Sequence, residues 1–498
     1  MGLVRRQSIL NTFYSYAGVA LGLVNKLVFF NVWLSKAEFG LIELLITFMV
    51  LGSELSQLGV SKVILRFFPY FHQRGAAREG QFVFFTLIYA LTGYLLLALL
   101  LWLGKPWILA QYAPNAPLFA AHYSYVFPVI LAYTAYRVLS SLAQAHLRSV
   151  MATLSWNLVV RVVQALLILG YHYGEWSFET FMYGIVLSFT LPTVLTGLDL
   201  LLMGKMRFRL GIGHLRRRTR RVLLTYGLYA SLGEMTAMMV NKVDILMIGW
   251  LVGEEMVATY AIAFYITSLI QMPARALRSI TIPLIAGHLK HKRFDEIRDL
   301  YQKSAITSLV IGMLVLIGIW VNLDPLYALT PKHGQGYWAV VFLGIGSIFN
   351  IMTGLHRAII VNSRYYRFDL YMNLLLLGLA IGTNYWLIPP YGAAGAAIAT
   401  AISLLVYNGA GCLYVWWRFD MQPFSGRTAL TLLLGVLALS AGLSIPDRGH
   451  PLLDIAVRTA VVLALYLPLA YWARLSPDFN ELARMLMHKL GLARGWRR

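Results

Sequence analysis

Ionisable side chains recur inside stretches apolar enough to cross a bilayer, among them Lys26, Lys62, Arg137, Arg161, Asp199, Glu234, Lys242, Asp244, Arg275, Arg278, Arg357 and Arg458. A charge at membrane depth is expensive, so each marks a functional candidate, and cations dominate the set. A water-filled lining of arginine and lysine suits a polyanion such as a phosphate ester, because charge-assisted and often bidentate hydrogen bonds offset its desolvation. Lys26, Lys242, Arg137 and Arg357 head the candidates. Arg275 and Arg278 stand at i and i+3 on one helix face behind Pro273, and Arg161 joins them. Snorkelling to the surface or structural pairing is the alternative reading for Arg278 and Lys62, which lie close to helix ends, and for Arg458, Arg137 and Arg357. Asp244, Glu234 and Asp199 are candidates for binding a coupling proton or sodium ion, with pairing to a nearby arginine as the alternative, since a buried carboxylate needs a partner. The only cysteine is Cys412, no Cys/His cluster has metal-ligand spacing, and no G-x-x-x-x-G-K-[ST] loop occurs, so no metal, cofactor or nucleotide is expected.

The elements that must position these side chains are helices. The chain of 498 residues is 59% hydrophobic and 13% charged, with a mean hydropathy of +0.66, and runs of roughly 20 apolar residues recur from end to end. The expected spans are 8 to 34, 38 to 63, 81 to 103, 120 to 146, 153 to 173, 179 to 203, 222 to 250, 256 to 283, 302 to 322, 337 to 361, 369 to 388, 392 to 417, 428 to 446 and 452 to 473, about fourteen in all. The first lacks an A-x-A-like cleavage site and reads as a retained helix. The net charge of +21 would suggest nucleic acid in a soluble protein, but the basic residues concentrate in alternate loops, above all Lys205 to Arg221. That pattern follows the positive-inside rule and puts both termini and the 204–221 loop in the cytoplasm of a multi-pass inner-membrane protein, with no nucleic-acid partner. The tail, 474–498, reads as a basic amphipathic segment on the inner surface.

Three short matches hint at duplication. Val24-Asn25-Lys26 recurs as Val240-Asn241-Lys242, His72-Gln73-Arg74 loosely as His291-Lys292-Arg293, and Arg137 as Arg357, at separations of 216, 219 and 220. The expected organisation is therefore an all-α membrane protein with two pseudo-symmetric six-helix lobes, 1–203 and 222–417, joined by the basic linker 204–221. Spans thirteen and fourteen (418–473) form an appendage. An even number of spans per lobe puts the symmetry axis along the membrane normal, with a cavity between the lobes and the repeat-related cations at matching depths on opposite sides of it.

The stretch Asn384-Tyr385-Trp386-Leu387-Ile388-Pro389-Pro390-Tyr391-Gly392-Ala393-Ala394-Gly395-Ala396-Ala397-Ile398-Ala399-Thr400 resembles the polysaccharide-exporter branch of the MOP superfamily, the Wzx-type oligosaccharide-lipid flippases. Lys36-Ala37-Glu38-Phe39-Gly40 and Leu65-Arg66-Phe67-Phe68-Pro69 fit the same pattern. The resemblance implies a V-shaped fold, a polyprenyl-diphosphate-linked glycan as substrate, glycan polymerase and ligase proteins as partners, and a monomer. Read for their chemistry alone, Pro389 and Pro390 interrupt a helix, Gly392 permits a turn, and the following Gly/Ala run admits a close neighbour. Competing classes are a lipid II flippase, a multidrug exporter with a cavity of carboxylates and aromatics, and a membrane glycan polymerase or ligase. The outward loops 104–119 and 323–336, with Asp324 as their only acid, are short for an enzyme.

Overall fold

The computed structural model describes residues 2–204, 217–329 and 331–489. Among these every regular element is helical. Twelve stretches are long and apolar enough to cross a membrane, which makes this a multi-pass membrane protein. Two features separate that number from the fourteen expected. The eleventh and twelfth expected spans lie on one stretch, Arg367–Phe419, and the seventh lies on a helix that is not among the twelve.

The chain forms two compact units, Met1–Ala258 and Thr259–Arg498. The first contains α1 (Gly2–Val24), α2 (Lys36–Gln57), α3 (Val60–His72), α4 (Ala76–Leu103), α5 (Val126–Ala145), α6 (Val160–Tyr173), α7 (Phe178–Ser188), α8 (Leu191–Leu202) and α9 (Arg217–Leu251). The division falls beyond the 204–221 linker because α9 packs along α2 in the first unit. The linker residues 205–216 and the tail residues 490–498 lie outside the described residues. α10 (Glu254–Ser268) carries the chain into the second unit, built from α11 (Met272–Lys290), α12 (Phe294–Val321), α13 (Tyr337–Met352), α14 (His356–Asn362), α15 (Tyr366–Phe419), α16 (Gly426–Leu443), α17 (Pro451–Trp472) and α18 (Pro477–Lys489).

Local sequence explains the joints. Ser35 and Glu38 cap α2 reciprocally, the side chain of each accepting from the backbone N–H of the other. Gly40 has no room for a Cβ, which would lie 1.8 Å from the Glu254 carbonyl oxygen. The Lys36–Gly40 motif therefore starts a helix and admits a neighbour. The expected span 38 to 63 is broken instead at Leu58 and Gly59, both at positive φ (45° and 78°), so Lys62 belongs to the next helix, α3. α1 and the segment before α6 cross at Gly18, where a Cβ would meet the Asn157 carbonyl oxygen at 2.3 Å, and at Gly22, where it would touch the Arg161 guanidinium at 3.1 Å. This is small-residue packing of membrane helices.

In the second unit the Pro389-Pro390-Tyr391-Gly392 stretch bends α15 at Gly392, the one residue in it with non-helical backbone (φ 54°, ψ −127°). A Cβ at Gly395 would lie 1.9 Å from the Leu387 carbonyl oxygen, and Ala393, Ala396, Ala397 and Ala399 are buried. α16 and α17 pack on α12, where Gly435 receives Met313 and Gly442 receives Val321. Arg458 is 5% exposed and ties this appendage down, donating to the carbonyls of Val321 (3.0 Å) and Ile445 (3.2 Å) and to Asp447 (2.9 Å). Its role is structural.

Two glycine substitutions test the bend. Gly395→Ala forces the backbone apart at a cost of about 1–3 kcal/mol and is expected to lower the apparent melting temperature of the purified protein. Gly409→Ala, also on α15 but with open space around it, should leave that temperature unchanged or raise it, since alanine is the better helix former by about 1 kcal/mol. Equal melting of the Gly395→Ala variant and the parent would refute the close approach.

Candidate functional site

The polar side chains buried in the first unit converge on α2. Glu43 and Glu54 are eleven residues apart on it, and both are sealed from solvent. At 100° per residue they share a face about 16 Å apart along the axis. Lys26 forms a buried ion pair with Glu43. It stands in a π-helical turn, Asn25–Phe30, that continues α1, and one-turn π segments of this kind commonly re-aim functional side chains. Lys242, on α9, lies within electrostatic reach of the same Glu43, and Arg161 within reach of Lys26. Asn25 fixes the Arg161 backbone, its side-chain amide donating to that carbonyl at 2.7 Å.

The second carboxylate, Glu54, accepts from Arg137 of α5 at 3.0 Å and from the Gln57 amide at 2.7 Å. Arg137 is 24% exposed and its partner 1%. Arg137 opens on a cavity of about 320 Å³ enclosed by α3, α5 and a second π-helical turn, Ser155–Val159. Lys62, the hydroxyls of Ser61, Ser140 and Ser141, and the aromatic rings of Tyr133, Tyr136 and Trp156 line it. Tyr133 bridges the two clusters, within electrostatic reach of both Arg137 and Arg161. The result is two polar clusters inside one unit, both within reach of Tyr133, in which Lys26, Lys62, Arg137, Arg161 and Lys242 outnumber the carboxylates Glu43 and Glu54. Such an arrangement can hold a polyanion.

Arg275, Arg278 and Arg357 lie near one another in the second unit. Arg357, 51% exposed, makes a two-point contact with Asp369 of α15 at 3.0 and 3.3 Å. Asp369 also accepts from Asn373 (2.9 Å) and Tyr407 (3.3 Å). Arg278 donates to the Asn350 carbonyl at 3.2 Å, which ties α11 to α13, while Arg275 is exposed. Asp244 is buried on α9, and Asp199 is partly exposed on α8 with no ion pair among the described residues. The side chain of Glu234 lies outside the described residues.

Two features depart from the sequence reading. The repeat-related Lys26 and Lys242, expected on opposite sides of a cavity, approach one carboxylate within the first unit. Arg137 and Arg357 are neutralised by acids from non-equivalent helices. Glu43, Glu54 and Asp369 were absent from the candidates, as was the aromatic wall. The i, i+11 spacing of Glu43 and Glu54 in the apolar body of α2 is the signal for them in the sequence.

A double-mutant cycle tests the Glu54–Arg137 pair. Arg137→Gln leaves a buried carboxylate short of its cation and is expected to cost about 3 kcal/mol, whereas Arg137→Gln with Glu54→Gln should recover most of that loss. Thermal unfolding of the purified variants reads the coupling, and additive losses would mean that the two side chains do not interact.

Comparison with known proteins bears on family and fold. A sequence profile described as polysaccharide biosynthesis protein matches residues 4–288, and the MatE profile matches residues 230–386. The probable multidrug resistance protein NorM of Streptococcus pneumoniae serotype 4 is 25% identical over 209 residues, 38% of this chain and 45% of that protein. This match therefore spans less than half of that relative. Among solved structures, the lipid II flippase MurJ in an inward closed conformation superposes with a TM-score of 0.72 at 13% identity, over 93% of this chain and 98% of that one. An inward-facing multidrug resistance MATE family transporter of the MOP superfamily gives 0.61 at 15% identity, over 83% and 98%. At these identities the likeness establishes the fold. With more than half of its length matched by one profile, the chain belongs to the polysaccharide biosynthesis protein family and has the fold of MOP-superfamily flippases and transporters.

Proposed function

We propose that this protein translocates a polyprenyl-diphosphate-linked oligosaccharide from the inner to the outer leaflet of the bacterial cytoplasmic membrane, for O-antigen, capsule or exopolysaccharide assembly. The observation that carries the reading is the set of cations Lys26, Lys62, Arg137, Arg161 and Lys242 inside the helices of the first unit, together with a cavity of aromatic and hydroxyl groups. A diphosphate leaving water needs charge-assisted donors, and a sugar needs hydroxyl partners and apolar ring faces. Alternating exposure of these cations to the two sides of the membrane would move the head group while the lipid tail stays in the bilayer. Both termini and the basic loop 204–221 face the cytoplasm in this scheme, and the glycan polymerase and ligase act on the product.

A lipid II flippase is the second reading, supported by the likeness to MurJ, and it demands the same diphosphate chemistry. Export of organic cations fits less well, because Glu43 and Glu54 are engaged by Lys26 and Arg137. No reaction is proposed: the site holds and releases its ligand unchanged.

Transport gives the test. In cells lacking any other flippase for the glycan, Glu54→Gln/Arg137→Gln is expected to accumulate in the membrane yet lose surface glycan at least tenfold. A charge-assisted hydrogen bond is worth about 1.5–3 kcal/mol, roughly ten- to more than a hundredfold. Arg137→Lys, which keeps the charge but loses the planar fork, should be impaired as well. Full surface glycan in the double variant would remove Arg137 from the substrate's path. A reporter fused at residue 212 should report from the cytoplasmic side.

A further inference from the structure

The wall of the cavity beside Arg137 contains a donor that the protein itself does not use. Trp156 stands in the π-helical turn Ser155–Val159, so its register departs from that of the helices on either side. Tyr136 stacks on its indole (centroids 5.0 Å apart, planes 17° apart) and is anchored in turn by its hydroxyl, which donates to the Ala152 carbonyl at 3.0 Å. Tyr133 packs on the same indole at 4.5 Å. Trp156 is thus held rigidly, but its indole N–H has no hydrogen-bond partner among the described residues and is not sealed from solvent. A buried tryptophan N–H ordinarily finds its partner within the fold; this one, only partly buried, is left for a ligand or water.

The rest of the lining says what that N–H awaits. Ser140, Ser141 and Gln144 continue along α5 from Arg137 and offer hydroxyl and amide groups, and no carboxylate lines the cavity. Such a lining disfavours an ammonium group and suits a neutral polyol. Lys62 and Arg137 stand in the same lining, ready for an anion attached to it.

We infer that Trp156 is a specificity-determining residue for the glycan: its indole N–H donates to an oxygen of the sugar next to the diphosphate, while Arg137 and Lys62 hold the phosphates. This rests on the proposed function and refines it, because it makes the first unit distinguish a glycosylated lipid from the bare carrier. A pocket that reads one hydroxyl pattern by a fixed donor rejects a ligand lacking it, since the donor is then left without a partner.

The test measures binding to the full-length protein in lipid nanodiscs, with polyprenyl diphosphate and polyprenyl-diphosphate-linked N-acetylglucosamine as probes. The parent is expected to bind the glycosylated lipid at least tenfold more tightly than the bare diphosphate. Trp156→Phe keeps the ring and removes the N–H; it should shrink that preference to about twofold and leave bare-diphosphate binding unchanged. Ser140→Leu, which fills the cavity from another helix, should weaken the glycosylated lipid alone, so the outcome does not depend on the folding of one variant. Glu54→Gln/Arg137→Gln should weaken both lipids by the same factor. An undiminished preference in both Trp156→Phe and Ser140→Leu, or a parent that binds the two lipids equally, overturns the sugar-reading role and leaves the flippase reading intact. A parent that binds neither lipid overturns both.

Discussion

A carboxylate buried in an apolar helix must have a cation beside it, and this requirement organises the first unit. Glu43 and Glu54 sit on one face of α2, which has α4, α5 and α9 around it. Desolvating an ion costs several kcal/mol even after relaxation, so neither acid is tolerated as a charged group unless its neighbours deliver positive charge to it. Lys26 reaches Glu43 from the π turn after α1, and Arg137 reaches Glu54 from α5. Elements far apart in sequence are thereby brought to one face. The cations that would bind an anionic ligand are the same ones that keep the acids paired, so folding and ligand chemistry share their residues.

Charge pairing at this depth works only if the backbones approach closely. The glycines at 18, 22, 40 and 59 mark where they do, each with a neighbour within about a bond length or two of the missing Cβ. At Gly22 the neighbour is the Arg161 side chain itself, so the absent methyl group makes room for a cation. The second unit uses the same device at Gly395 and Gly411, the latter holding the His356 ring against α15. Small residues thus set helix separation, and helix separation sets which charges meet.

Much of this was legible in the sequence. Hydropathy alone gave the helical membrane class, because an apolar run of bilayer length has few other uses. The Pro-Pro-Tyr-Gly stretch announced the bend in α15, since Gly392 has a backbone conformation that other residues rarely adopt. The side on which α9 packs was not legible: a hydropathy profile records that a helix is apolar but not which partner covers it. Lys62 was read toward the surface because a continuous span through residue 63 put it near an end, whereas the left-handed residues at 58 and 59 start a new helix there and turn it to the cavity. Glu43 and Glu54 were overlooked for a related reason. Each alone is a lone acid in a long apolar run, and only their common face shows that they act together.

The repeat illustrates the limit most sharply. Arg137 and Arg357, expected to be repeat-related from their separation of 220 residues, are both paired with carboxylates. The same offset from Glu54 leads to Ala274, and from Asp369 back to Ser149, so neither acid has a counterpart in the other half. Arg137 faces a fully buried partner and Arg357, half exposed, a partner that is 15% exposed. The first pair is a desolvated ion pair whose disruption strands a charge, while solvent screens the second. The two arginines therefore differ in how far their pairing depends on burial. The expected symmetry pairs the cations and omits what holds them, because the two arginines are neutralised from different helices.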